Sequence, residues 1–375
     1  MLHVAILLSA IVFTLSTADA CPFCEGVTPT LSQRRDEADL VLLAEAVTAD
    51  ATQHFRVHSK LSGKAKSLEK QINIEETSPW KQGTLAILFG RKSSETNGWA
   101  WEAVKVNETS AAYFASAPAL KVSQDKRLSY FAQYLEHADA LIAQDAYNEF
   151  GHAAYEDVVR SADKFDMAKV RRWVGSTEIP EQRRGFYCLV LGLAKQPGDR
   201  AANSQVLRKR LEDTTTDFRA GFDGAIAGYL LLEGKSGLEF VSQRFFVPKD
   251  AARGDVQHTQ QALRFFAQYG PAELKPPIAS VSSRLLVRPE LAPAAITDLA
   301  RWKHWEVLEQ VAALFDQPEY GDLANRTAIV GYLRVCPLPR AQELLQELRA
   351  ADPTGVGAIE QSMQKSSDGR SARGT

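Results

Sequence analysis

A six-residue segment that occurs twice constrains the fold of this 375-residue chain more than any other feature. Residues 225–230, Ala-Ile-Ala-Gly-Tyr-Leu, recur as residues 328–333, Ala-Ile-Val-Gly-Tyr-Leu, with five of six positions identical and 103 residues between the copies. That spacing is close to three periods of about 34 residues, a length typical of repeated helix pairs. Because no single pair can bury its apolar face alone, such pairs stack into a solenoid.

Glycines at a fixed phase of this pattern favour the same interpretation. Gly192 lies 36 residues before Gly228, and Gly331 occupies the equivalent place in the second copy. A glycine inside a helix costs about 1 kcal/mol relative to alanine. Its recurrence therefore predicts that neighbouring helices approach each other closely at these positions.

We predict a helical-repeat domain over residues 123–360, followed by a disordered tail over 361–375. From residue 128 onward, apolar side chains recur at steps of three and four residues, which is the period of an amphipathic helix. Strand patterns largely stop in this part of the chain, and proline, glycine and aspartate separate the helical segments.

Residues 21–122 are predicted to form a small β-rich domain. Short segments in which apolar and polar residues alternate are separated by glycine, serine, asparagine and proline, a pattern typical of strands and turns. Five such strands suit a small closed barrel of the OB type, because closure removes the exposed edges of an open sheet. The predicted strands are 40–47, 53–59, 71–75, 84–89 and 99–106. The fold class is therefore α+β in separate domains, a barrel followed by an all-α solenoid.

The first 20 residues are predicted to be a signal peptide. An almost wholly apolar segment, 4–15, precedes Ala18-Asp19-Ala20, the small-x-small pattern that signal peptidases recognise. The segment is shorter than the ~20 apolar residues that span a bilayer, and no later segment predicts a membrane span. We therefore expect an extracytoplasmic protein, secreted or periplasmic, whose mature chain begins at or next to Cys21.

The charge of the chain argues against nucleic acid as a partner. The formal net charge is −2, whereas binding to phosphates requires a strong cationic excess. No motif for a cofactor or a metal is present, and no nucleophile, base and orienting residue can be assembled from the sequence. We therefore predict no catalytic residues and expect a protein that is not an enzyme.

Both parts of the chain resemble known families. Residues 165–350 resemble divergent HEAT-type helical repeats in period and pattern. Residues 21–118 resemble the netrin-like barrel of the tissue inhibitors of metalloproteinases through three features: the N-terminal cysteine pair, the segments Leu-Ser at 31–32 and Ala-Asp-Leu-Val-Leu-Leu at 38–43, and the Leu-Phe-Gly at 88–90. Together the two parts are similar to a class of uncharacterised exported bacterial proteins, which implies no particular function.

Cys21 and Cys24 form the first candidate site. As a Cys-x-x-Cys pair they could be a local disulfide that fastens the N-terminus, or a thiol or metal site. A thioredoxin-like redox site needs a preceding strand, and only the predicted signal peptide precedes Cys21. The netrin-like resemblance implies a third role, in which the amino group and carbonyl of Cys21 chelate the zinc of a metalloproteinase.

An acidic helical segment holds one Glu-x-x-His motif, Glu149 to His152, with Glu136, His137, Asp145 and Glu156 nearby in sequence. A di-iron bundle needs two such motifs, and no second copy is present. We therefore expect a hydrated helix face here.

The densest cluster of aromatic and basic residues is Trp302, Lys303, His304 and Trp305. Exposed on a solenoid surface, it would be a partner-binding patch; the alternative is aromatic packing between repeats. Because solenoid surfaces usually bind proteins, we predict a protein-binding or scaffold function with an unknown protein partner. The alternatives are a thiol- or metal-dependent activity at Cys21 and Cys24, or inhibition of a metalloproteinase.

Overall fold

The computed structural model describes residues 21, 23–24, 26–49, 52–64, 69–75, 80–93, 98–214 and 219–371. The predicted signal peptide lies outside these residues. The chain divides into two compact units, 1–164 and 165–375, so the division falls after residue 164 and not after residue 122. The helices that follow the sheet belong to the first unit because the N-terminal segment packs on one of them. There, the backbone N–H of Leu31 donates to Asp145 Oδ1 at 2.7 Å.

The first unit combines one sheet with five helices among its described residues. Its helices are α1 (Leu31–Glu37), α2 (Glu108–Ser116), α3 (Gln124–Phe131), α4 (Ala140–Gly151) and α5 (Tyr155–Arg160). Its strands are β1 (Leu40–Ala49), β2 (Thr52–Gly63), β3 (Gln71–Glu75), β4 (Leu85–Lys92) and β5 (Trp99–Lys105). All five predicted strands are present, with ends that differ by a few residues.

The five strands form one antiparallel sheet in the order β3-β2-β1-β4-β5. The predicted closed barrel is wrong in this respect: among the described residues β3 and β5 do not pair, and the sheet is an open half-barrel. The sheet is packed on both faces. On one face Phe55 packs edge-to-face against Trp80, with ring centroids 5.2 Å apart; on the other, Phe89 packs against Phe114 of α2. The coarse α+β layout is confirmed.

The second unit is helical throughout its described residues. Its helices are α6 (Met167–Gly175), α7 (Glu181–Gly192), α8 (Pro197–Glu212), α9 (Phe222–Phe245), α10 (Arg253–Tyr269), α11 (Lys275–Ser282), α12 (Ala292–Arg301), α13 (Leu308–Ala313), α14 (Leu323–Val335), α15 (Pro339–Ala351) and α16 (Pro353–Ser371). None of the helices described in either unit is both long and apolar enough to cross a membrane.

Helices α7 and α9 cross at the glycines that the repeat pattern singled out. A Cβ atom added to Gly192 would lie 2.6 Å from the Cα of Gly228, and one added to Gly228 would overlap the carbonyl oxygen of Cys188. Such distances are far below van der Waals contact, so only glycine permits this crossing. The predicted close approach of helices is confirmed here.

The C-terminal segment differs from the expected disordered tail. Helix α16 continues to Ser371, and only residues 372–375 lie outside the described part. The buried side chains of Val356 and Ile359 hold its first half in the unit, and Glu360 pairs with Arg349 of α15 at 2.7 Å. These contacts lie before residue 361, and the helix continues from them through residues 361–371, which were predicted to belong to the tail.

Candidate functional site

The segment that contains Cys21 and Cys24 packs on the end of helix α4. The backbone N–H of Cys21 donates to the carbonyl of Gly151 at 3.3 Å, and that of Cys24 donates to the carbonyl of Cys21 at 3.2 Å. Cys21 is buried and Cys24 is half-buried, and both are free thiols. The segment closes over α4 because Gly151 leaves space there: a Cβ at Gly151 would lie 2.5 Å from a methyl group of Val27.

This environment disfavours a reactive thiolate. Burial raises the pKa of the Cys24 thiol well above its ordinary value, and the neighbouring Cys21 raises it further, whereas a hydrogen bond with Tyr147 lowers it. Redox-active cysteines need the opposite shift. No group of three or more His, Cys, Asp or Glu that could hold a metal ion occurs in the part of the chain that the structure describes.

The acidic residues of α4 do not form the expected hydrated face. Asp145 and Glu149 are buried, and Glu149 forms a buried ion pair with Arg127 of α3. His152 is exposed and lies within hydrogen-bond distance of the Thr28 carbonyl, 3.1 Å from its Nε2. Glu149 and His152 therefore have separate partners, and the Glu-x-x-His motif has a structural role.

Asp145 links three elements through its carboxylate. Its Oδ1 accepts the backbone N–H of Leu31, and its Oδ2 accepts the Tyr113 hydroxyl at 2.8 Å. Burial raises the pKa of Asp145 to about 6, although these two hydrogen bonds lower it; the charge of Glu149 adds to the increase. Burial is also the main reason that the pKa of Tyr113 lies far above its usual value. The network fastens the N-terminal segment to α4 and leaves no carboxylate exposed to a substrate.

The turn containing Trp302, Lys303, His304 and Trp305 connects α12 to the following helix. Lys303 has a φ of 57°, a left-handed conformation that is uncommon for a residue with a side chain. The ring of Trp305 packs against that of Tyr332 in α14, with centroids 5.2 Å apart. The Tyr332 hydroxyl donates to the His304 carbonyl at 2.6 Å. Both tryptophans are half-buried and Lys303 is exposed. One part of the turn therefore packs between helices, and the other part lies at the surface.

Beside this turn lies an open apolar groove of about 650 Å³, which we call the α14 groove. One face of α14 forms its floor, and α12 and α16 form its walls. Tyr332 joins the groove to the Trp302–Trp305 turn, because the same side chain lines the former and contacts the latter. The lining residues are Pro293, Thr297, Ala300, Leu323, Ala324, Thr327, Ala328, Gly331, Tyr332, Val335 and Met363.

The two ends of the groove carry exposed aliphatic side chains. Leu323 is 74% exposed and Val335 is 61% exposed, which places them among the most exposed large apolar residues described. Between them the floor consists of small side chains: Ala324, Ala328 and Gly331. A channel with a small-residue floor and apolar ends has the form of a site for an apolar helix face.

The internal repeat relates this groove to a filled contact elsewhere in the unit. Gly331 of α14 is equivalent to Gly228 of α9, where the backbone of α7 lies in direct contact. Among the described residues, a Cβ at Gly331 would meet only the Met363 Cε within 4 Å, at 3.1 Å. The same face is therefore covered by a helix in α9 and open in α14.

Sequence reasoning identified the turn but not the groove. The repeat contained a signal for the groove. A glycine at position 331 is required only where another helix packs directly on it, and among the described residues no helix backbone does so.

In comparisons with known proteins, no family model, no curated protein and no solved structure matches this chain.

Proposed function

We propose that this protein is exported and non-enzymatic, and that it binds a partner protein by accepting an amphipathic helix of that partner into the α14 groove. The observation that carries the proposal is the open face of α14 at Gly331. The equivalent face of α9, at Gly228, is occupied by helix α7. The chain thus contains an example of the contact that the partner would make.

The exposed side chains of the groove supply the driving force. Full burial of a leucine or valine side chain contributes roughly 1.5–3 kcal/mol, and Leu323 and Val335 are both largely exposed. The adjacent turn adds Trp302 and Trp305, which belong to a residue type enriched at the centres of interfaces. These side chains would contact the ends and one edge of the bound helix.

The finer classification also belongs to this proposal. The helical period and the glycine-mediated crossing support a HEAT-like solenoid, and the five-stranded half-barrel after an N-terminal cysteine pair supports a netrin-like relative. A location outside the cytoplasm is supported by the apolar segment at 4–15 and the Ala-Asp-Ala that follows it.

The alternatives centred on Cys21 have less support. A thiol enzyme needs an accessible thiolate, whereas Cys21 is buried and the pKa of Cys24 is raised. Zinc chelation in the manner of an inhibitor needs the backbone of Cys21 at the surface, and its N–H is hydrogen-bonded to the carbonyl of Gly151.

A matched pair of substitutions tests the proposal. Val335 lies in the groove and is 61% exposed; Val287 lies outside it and is 59% exposed. The full chain, carrying a photo-crosslinking amino acid at Thr327, is expressed in its source cells as wild type, Val335→Asp or Val287→Asp. Cross-linked peptides are then identified by mass spectrometry.

We expect one partner protein to be cross-linked through an amphipathic helical segment in the wild type and in Val287→Asp. In Val335→Asp the buried carboxylate should remove that product. Equal cross-linking in all three proteins, cross-linking only to a second copy of this chain, or no product in any of them would refute the proposal.

A further inference from the structure

A second cavity of the helical unit, separate from the α14 groove, has the composition of an anion site. It has a volume of about 740 Å³ and lies between the segment that joins α6 to α7, the last turn of α8 and the residues that precede α9. Its lining includes five cationic side chains, those of Arg171, Arg184, Lys209, Arg210 and Arg219, against three acidic ones, those of Glu178, Glu181 and Asp213. We call it the basic pocket.

Three of these arginines have buried donors without an acceptor. The Nε atoms of Arg184 and Arg210 and the Nη1 atom of Arg219 find no hydrogen-bond partner within the described part of the chain. The Arg219 side chain is only 7% exposed. A buried polar group that lacks a partner costs about 1–3 kcal/mol, and more when it is charged, so an anionic acceptor beside these side chains would recover part of that cost.

The remaining contacts of these guanidinium groups compensate only part of their charge. Arg184 pairs with Glu181 at 3.2 Å, and Arg219 Nε lies 3.5 Å from Asp255 Oδ1. The other bonds are to carbonyl oxygens: Arg184 donates to Ile179 at 3.1 Å, Arg210 donates to Ala220 at 3.4 Å, and Arg219 donates to Asp213. Neutral acceptors orient the arginines but do not neutralise them.

Two further features are consistent with a positive potential. The pKa of Arg219 is lowered, first by burial and then by the neighbouring charges of Arg244 and Arg210, whereas Asp255 and Asp213 raise it. Helix α7 also begins at this wall, after Pro180, without a side chain that caps it. The N-terminus of a helix carries a partial positive charge.

The pocket is too large for an inorganic anion alone, and part of its wall is apolar, formed by Val174, Ile179, Val206 and Ala220. Pockets of roughly 300–1,000 Å³ with a few convergent polar groups are typical of small-molecule sites. We propose that the basic pocket binds a small organic anion, with its acid group against Arg184, Arg210 and Arg219 and its apolar part against the aliphatic wall.

Titration of the full chain with 8-anilinonaphthalene-1-sulfonate tests this proposal, because the probe combines one sulfonate with apolar rings. N-phenyl-1-naphthylamine, which lacks the sulfonate, is the neutral control probe. Lys209→Gln removes an exposed cation of the pocket, and Arg210→Gln removes a half-buried one. Arg208→Gln is the matched control, since Arg208 neighbours both residues on α8 but does not line the pocket.

We expect the affinity for the sulfonate probe to fall at least about tenfold in Arg210→Gln and by a smaller factor in Lys209→Gln. Arg208→Gln should bind as the wild type does, and binding of the neutral probe should be the same in all four proteins. Equal affinity of the wild type and Lys209→Gln for the sulfonate probe, or an equal loss in Arg208→Gln, would overturn the proposal. Because Lys209 is exposed, this result does not depend on whether Arg210→Gln folds.

Discussion

At the scale of single residues, two equivalent glycines have different surroundings. Gly228 lies against the backbone of α7, whereas Gly331 faces the α14 groove. The repeat pattern predicted a close helix contact for both, and only the first has one. Sequence identity at five of six positions preserved the local helix but could not specify which neighbour packs on it, because that neighbour is distant in the chain.

Substitution of both glycines by alanine should therefore have opposite effects. Gly228→Ala forces a methyl group against the Cys188 carbonyl and should destabilise the fold by about 1–3 kcal/mol. Gly331→Ala adds a methyl group beside the flexible end of Met363 and should stabilise α14 by up to about 1 kcal/mol. Urea unfolding followed by circular dichroism measures both; a similar loss in the two variants would contradict this account of the repeat.

At the scale of secondary-structure elements, helices α3 and α4 are joined by a buried ion pair. Arg127 and Glu149 have side chains that are 5% and 2% exposed, and the arginine also lies over the ring of Phe131, 5.9 Å from its centroid. From the sequence, Glu149 was predicted to lie on a hydrated helix face, because the spacing of Glu149 from His152 was the only pattern available there. Its real partner lies on another helix, and no local pattern predicts that pairing.

Removal of one partner should cost more than removal of both. Arg127→Met leaves the Glu149 carboxylate buried without its counter-ion, which should destabilise the first unit by roughly 3–5 kcal/mol. The double variant Arg127→Met with Glu149→Leu should recover much of that loss, because no charge then remains buried. Thermal unfolding of the wild type, both single variants and the double variant measures the coupling, and additive losses would show that the two side chains do not act as a pair.

The strands show what local sequence predicts well. Short apolar segments, several of them alternating with polar residues and separated by turn residues, located all five, and the register of β1 with β4 continues without a break from Leu40 opposite Gly90 to Glu45 opposite Leu85. Closure of the sheet depends on pairing between β3 and β5, which are separated along the chain. Local alternation cannot determine that pairing, and the predicted closed barrel was wrong for this reason.

At the scale of the whole molecule, the stability of the fold should depend on pH through Asp145. Its pKa is raised to about 6 in the folded protein, above the ordinary value of about 3.9 in an unfolded chain. The folded state therefore holds this proton more tightly, and the stability contributed by the protonated form is fully present below about pH 4 and is lost as the pH rises through 6. A shift of two pKa units corresponds to about 3 kcal/mol.

The variant Asp145→Asn isolates this effect, because asparagine is a neutral group of similar shape. The free energy of unfolding of the wild type, relative to that of Asp145→Asn, should fall by up to about 3 kcal/mol between pH 4 and pH 7. Guanidinium unfolding at a series of pH values measures the difference. A difference that stays constant, or one that grows with pH, would show that Asp145 titrates at or below its ordinary pKa.

The boundary between the two compact units does not coincide with the change of hydrophobic period in the sequence. A change of period from two to about 3.6 residues marks where strands give way to helices, and that change falls near residue 122. The compact unit extends to residue 164, because α4 packs against the N-terminal segment through Asp145 and Asn148. The period of the apolar residues indicates whether a segment is a helix or a strand, whereas the boundary of a compact unit depends on which elements pack against each other.

The attachment of the N-terminal segment to α4 also has a consequence for the order of synthesis. Leu31 finds its acceptor 114 residues later in the chain, and Thr28 finds its partner 120 residues later. Contacts between residues so far apart form slowly, because a long loop must close first. The residues near Cys21 leave the ribosome early, yet they can reach their final positions only after α4 has been made. Until then the N-terminal segment lacks the helix on which it packs, so its own folding can be completed only after most of the first unit has been synthesised.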